Sequence, residues 1–167
     1  MPGASSRAFA VVALIGSLLG LVFAAYSTFD YASHLDRKLH DVHCSIIPGA
    51  PATSDAEACR AAMYSPYSAL LKDSYWGGIP ISLFALRACT FFFGFSLYLL
   101  FADRAAPRGA LLFFGAVSFT PLVVSVLMLA ISVTKLGQVC KTCAGIYVAS
   151  ILLAIAAAMA LFRARSD

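Results

Sequence analysis

The chain has 167 residues, 61% hydrophobic and 12% charged, with a net charge of +4. Such a composition excludes an ordinary soluble domain and reads as one small integral membrane unit over 1–167. The positive excess falls at helix ends, where membrane topology accounts for it, so no nucleic-acid partner is read from it.

Four stretches, 8–29, 79–101, 110–133 and 144–162, are long enough to cross a hydrocarbon core of roughly 30 Å, which takes about 20 helical residues. The predicted fold is all-α: a four-transmembrane-helix bundle with a long outer loop, 30–78, carrying a short helix. The first stretch follows Arg7 as a secretory signal would, but it exceeds the usual apolar core of about 7–15 residues, and Val22-Phe23-Ala24 is a poor cleavage site. It is read as a retained helix. Gly16 and Gly20 give it a small-xxx-small face that lets another backbone approach.

The loop is too long for a bare connector. Pro48-Gly-Ala-Pro51 is a turn or hinge, and Ser54-Asp-Ala-Glu57 has the form of a capping box. A short helix from 55 to about 63 is predicted, carrying Cys59, while Cys44 sits in a looser stretch. His34, His40 and His43 are read as solvated, and with the two cysteines they fit no familiar zinc spacing, so no metal site is assigned. Tyr75 and Trp76 suit the membrane interface, and Pro80 suits a first helical turn.

Arg87 lies roughly 12 Å into a second helix that begins at 79. A charge at that depth faces the bundle interior or water. No acidic residue falls inside the four stretches, so carbonyls, hydroxyls or a ligand are its expected partners, and an ion-coupled pump is disfavoured. Cys89 reads as a buried, inert thiol. Pro121 removes an amide donor and predicts a bend in the third helix, with Ser118 and Thr120 available to satisfy the freed carbonyls. In the fourth, Ala144, Gly145, Ala149, Ser150, Ala154 and Ala158 thin one side.

Arg7, Arg104, Arg108, Arg163 and Arg165 share one side of a four-span topology. Both termini are therefore predicted cytoplasmic, with the loop on the outer, periplasmic face of the cell inner membrane. Four of the five cysteines share that face, where thiols cycle with disulfides.

Cys140 and Cys143 narrow the chemistry most. Thiols at that spacing share one face of a helix's first turn, where free amide N–H groups and the positive dipole end stabilise a thiolate. Together with Cys44 and Cys59 they form two pairs, and a relay by thiol–disulfide exchange is the reading. Cys44 would meet the external substrate, and Cys59 would reach Cys140. Cys143, about 4.5 Å further along the axis, would face the membrane interior. Its electrons need an acceptor that lives in lipid, and a quinone fits. Tyr147, one turn beyond, could donate to a quinone oxygen. The competing reading from another class is a non-catalytic scaffold whose loop is stapled by static disulfides.

The order of these features resembles the vitamin K epoxide reductase family, in its bacterial disulfide-forming members. Ser74-Tyr-Trp-Gly-Gly-Ile-Pro80 and Cys140-Lys-Thr-Cys143 carry the resemblance, which extends over essentially the whole chain. It implies a quinone-dependent thiol:disulfide oxidoreductase that oxidises dithiols outside and reduces a membrane quinone of ubiquinone or menaquinone type, with Cys143 attacking the quinone. It also implies that Tyr147 and a polar residue at the entry to the second helix bind the quinone oxygens. Ser74 matches the second position, but so does Ser68, because Ser65-Pro-Tyr-Ser68 resembles the Ser-x-Tyr-Ser that abuts the Gly-Ile-Pro entry in the family. Arg87 joins them as a candidate near the quinone. Two departures stand out. Cys44 and Cys59 are separated by fourteen intervening residues, wider than the family's short spacing. Many bacterial members also carry a fused thioredoxin-like domain, and this chain ends at Asp167 without one, which implies a separate thioredoxin-like periplasmic partner or substrate dithiols. Reduction of vitamin K epoxide is the competing direction within the same fold.

Overall fold

The computed structural model describes residues 5–35, 65–71, 73–75, 77–136 and 139–166. Helix α1 is Ser5–Leu35, α2 Ile81–Ala102, α3 Arg108–Val117, α4 Thr120–Ile131 and α5 Lys141–Ser166. Two short strands, β1 (Ala69–Leu70) and β2 (Ile79–Pro80), precede α2. The segments Arg7–Ala32, Ile81–Ala102, Arg108–Lys135 and Lys141–Arg165 are each long and apolar enough to cross a membrane. The third combines α3 and α4 with a π-helical turn, Ser132–Leu136. The result is an all-α, multi-pass membrane bundle in which helices satisfy their own backbone groups, as hydrocarbon requires. The predicted loop helix at 55–63 lies outside the described residues, as do Cys44, Cys59, His40 and His43.

Two boundaries differ from the sequence reading. Helix α2 begins at Ile81 because Ile79 and Pro80 pair in a strand. Helix α1 continues to Leu35, past His34, and its span to Ala32 takes in Asp30, which is buried at 9% exposure. Hydropathy falls at Asp30, but Asp-Tyr-Ala contains neither Gly nor Pro, so nothing there stops the helix. Helix α1 therefore carries Asp30 beyond the apolar run read from the sequence.

Helix α1 packs along both α5 and α2. The approach is close because the facing residues are small. A Cβ on Gly16 would stand 2.9 Å from the Leu152 Cβ and 3.3 Å from the Ala149 carbonyl oxygen. One on Gly20 would collide with the Cys89 sulfur, and one on Gly145 with the Phe23 ring. Toward the chain termini the bundle is solid: Phe9, Phe92, Leu99, Leu111, Phe114 and Leu153 form one buried cluster with alanines of α1 and α5. The Phe95 and Phe114 rings stack within it at 5.8 Å. At that end Arg7 pairs with the Asp103 carboxylate at 3.1 Å, and Arg163 donates to the Asp103 carbonyl at 3.2 Å. These bonds link α1, α5 and the end of α2, although such an exposed pair adds little stability.

The third span breaks where Pro121 predicts a bend, between Val117 and Thr120. Pro121 has no N–H to give the Val117 carbonyl. Ser118 does not act as foreseen: its Oγ is fully buried and has no hydrogen-bond partner among the described residues. The helix divides here, and the Ser118 amide still bonds back to the Phe114 carbonyl at 2.9 Å.

Gly20→Ala should destabilise the fold by about 1–3 kcal/mol, the usual cost of overpacking a tight interface. Gly94→Ala, whose Cβ would meet nothing within 4 Å, should leave the fold as stable or more so. Thermal unfolding in detergent micelles measures both.

Candidate functional site

Helix α5 starts at Lys141, so Cys140 occupies the N-cap rather than the first turn, and its carbonyl accepts from the Ala144 amide at 3.0 Å. A capping side chain takes bonds from the second and third amides of the helix. Here the cap is a sulfur: the Cys140 Sγ receives the backbone N–H groups of Thr142 and Cys143. It also lies 2.9 Å from the Thr142 hydroxyl. The Cys140 thiol is lowered to about 6, chiefly by the hydrogen bond from the Cys143 thiol, with desolvation opposing and the Thr142 hydroxyl and two amides assisting. Both cysteines are free thiols. Cys140 is the more enclosed at 4% exposure, and Cys143 is half-buried. Thr142 was not singled out by sequence; a hydroxyl between the two cysteines of the motif was the available signal.

Above the aromatic cluster the bundle is hollow. A cavity of about 600 Å³ lies between α1, α2, α4 and α5, with Phe91, Phe92 and Val117 at the aromatic end and Tyr31 and Ser65 at the cysteine end. Cys140, Cys143 and Tyr147 line it from α5, and Val124, Met128 and Ile131 from α4. The Tyr147 hydroxyl shares a hydrogen bond with Ser132 in the π-helical turn. Ser125 and Ser150, both on the lining, bond to each other at 2.8 Å and tie α4 to α5. Thr28 donates to Ser82 at 3.0 Å and ties α1 to α2.

The two candidate serines are separated by a hairpin. Strands β1 and β2 run antiparallel, Ala69 opposite Pro80 and Leu70 opposite Ile79, and the Ile81 amide donates to the Ser68 carbonyl at 3.0 Å. Gly77 and Gly78 have φ of 81° and 84°, which makes glycine the natural residue at both positions. The segment between the strands is thus looped out, and Ser68 arrives beside the entry to α2 despite its distance in sequence. Ser68 lines the cavity; Ser74 is not among the lining residues and sits in the looped-out turn, its amide bonded to the Leu71 carbonyl. The Tyr31 hydroxyl donates to the Gly77 carbonyl at 2.7 Å and anchors the hairpin on α1.

Arg87 lines the cavity while remaining exposed. With α2 starting at Ile81 it stands only about 9 Å along the helix, nearer the cysteine end than expected. Asp30, missed from sequence, lines the same cavity. Cys89 is buried as expected, and it too reaches the lining. No group of three or more potential metal-binding side chains occurs among the described residues.

The sequence pattern of the vitamin K epoxide reductase family matches residues 11–158. The chain belongs to this family, and it is a multi-pass membrane oxidoreductase. No curated protein and no solved structure matches it.

Because the Cys140 thiol is lowered from 9.0 to about 6, its thiolate is populated above that pH and lost below it. Alkylation of Cys140, followed by mass mapping, should therefore rise through pH about 6. Thr142→Ala removes one donor to the sulfur and should move that midpoint upward.

Proposed function

We propose that the protein passes electrons from outer thiols, through two cysteine pairs, to a quinone of ubiquinone or menaquinone type held in the cavity, and so supports disulfide-bond formation. The observation that carries this reading is that Cys140 and Cys143 line one largely apolar cavity whose lining also includes the hydroxyl-bearing Tyr147 and Ser68. Its size lies within the range of about 300–1,000 Å³ usual for sites of drug-sized ligands. A few placed hydroxyls among Phe84, Phe91, Val124 and Met128 suit an apolar ring with carbonyl oxygens. Helices α2 and α4 make at most isolated contacts with each other, which supports access from lipid. A quinone supplies a two-electron, two-proton acceptor at this point.

In the proposed path a thioredoxin-like partner or substrate dithiol reduces the Cys44 and Cys59 pair. The Cys59 thiolate attacks Cys140 of the helix disulfide and frees Cys143. With Tyr147 and Ser68 holding the ring oxygens, two electrons pass to the quinone as Cys143 and Cys140 re-form their S–S bond. That bond can form once Cys44 has attacked Cys59, closed the loop disulfide and released Cys140. A sulfur with a low pKa leaves faster in such an exchange, so the N-cap assists this step. The path places the cysteine end on the periplasmic side of the cell membrane and both termini in the cytoplasm.

Purified protein supplied with a dithiol and a short-chain quinone should form quinol, and Cys140→Ala and Cys143→Ala should each abolish it. Turnover by either variant at the parent rate would refute the relay. Cys143→Ala should also accumulate a Cys59–Cys140 mixed disulfide, seen by mass mapping of cysteine-linked peptides. Turnover of vitamin K epoxide as fast as plain quinone would reassign the direction. Tyr147→Phe should raise KM for quinone by about two- to tenfold, the worth of one hydrogen bond.

A further inference from the structure

Asp30 is used by no step above, yet it is buried against the site. A buried carboxyl group near the end of a candidate span is unusual enough to point to a role. Asp30 lies near the end of the candidate span Arg7–Ala32, is 9% exposed, and lines the cavity that Cys140, Cys143 and Tyr147 also line. Among the described lining residues it is the sole carboxyl group. The next residue, Tyr31, holds the hairpin by its bond to the Gly77 carbonyl, so Asp30 is adjacent in sequence to the residue that anchors the hairpin at the cysteine end.

The proton balance leaves a place for such a group. Reduction of a quinone takes two electrons and two protons. The helix pair supplies both electrons when its S–S bond forms. With Cys140 in the thiolate form that its hydrogen bonds favour, the pair carries one proton, that of the Cys143 thiol. One more proton has to enter the cavity.

We propose that Asp30 is the proton-transfer residue of this site, its carboxyl group delivering the second proton to the reduced ring and recovering one from the outer aqueous side. The step balances: the Cys140 thiolate, the Cys143 thiol, quinone and the Asp30 carboxylic acid give the Cys140–Cys143 disulfide, quinol and the Asp30 carboxylate. The inference rests on the cavity being the quinone site.

Asp30→Asn and Asp30→Glu test it with a dithiol as reductant and a short-chain ubiquinone or menaquinone analogue as acceptor. Loss of a proton donor should lower kcat of Asp30→Asn by about 100-fold. KM should change by less than about twofold if binding is intact, and Asp30→Glu should recover most of the rate. A second readout needs no quinone: infrared difference spectra between the dithiol and disulfide forms should contain a carboxyl band that Asp30→Asn abolishes and Asp30→Glu shifts. Should Asp30→Asn fail to fold, the shift in Asp30→Glu decides. A parent-like kcat in Asp30→Asn, or a carboxyl band unaltered by both variants, overturns the role of Asp30 and leaves the electron path intact. Absence of quinol from the unsubstituted protein overturns the proposed function and this inference with it.

Discussion

The close approach of α1 to α5 and α2 governs the arrangement of the molecule. In lipid, apolar surface gains little from being buried, so association rests on how tightly backbones can pack. Glycines and alanines on α1 allow that contact, and Gly145 admits the Phe23 ring near the start of α5. The third span is held to α5, and α2 is held to α1. Two pairs of helices are thus joined through one central contact. Near the chain termini phenylalanines fill the space between the pairs, and near the cysteines nothing comparable does. The cavity is what this packing leaves over.

The same contact sets which groups meet. Asp30 and Tyr31 come from the end of α1, Cys140 and Cys143 from the beginning of α5, and each pair reaches the cavity because the helices run side by side. The hairpin lies at the cysteine end of the cavity. Its two-residue strands carry only a few hydrogen bonds, but the Tyr31 bond to Gly77 fixes it to the scaffold and places Ser68 beside Pro80.

Much of this was legible in the sequence. The spans follow from apolar runs of sufficient length, the bend from Pro121, the α1 contact from Gly16 and Gly20, and the sulfur site from two cysteines three residues apart. What was not legible has a common cause: hydropathy reports where lipid is tolerated, not where a helix ends. Asp30 closes an apolar run without closing α1, so it was placed in the loop when it lies on the cavity wall. Which of Ser68 and Ser74 reaches the cavity depended on strand register and on two glycines with left-handed φ, neither of which composition encodes. Ser118 did not act as a carbonyl partner although its amide still bonds back to Phe114.

The N-cap position of Cys140 gives the two sulfurs different roles although the motif treats them alike. Cys140 precedes the helix, so its sulfur faces the free amides of Thr142 and Cys143 and takes their hydrogen bonds. Cys143 is the third residue inside the helix, and its own N–H is one of those donors. Shifting the helix start by one residue would place Cys140 within the first turn and remove the capping geometry. The preference for thiolate at one sulfur over the other rests chiefly on the hydrogen bond from the Cys143 thiol, and the amides at the start of α5 assist it. In the proposed relay that preference gives direction, because the sulfur that must leave the loop is the one whose anion the helix end already stabilises.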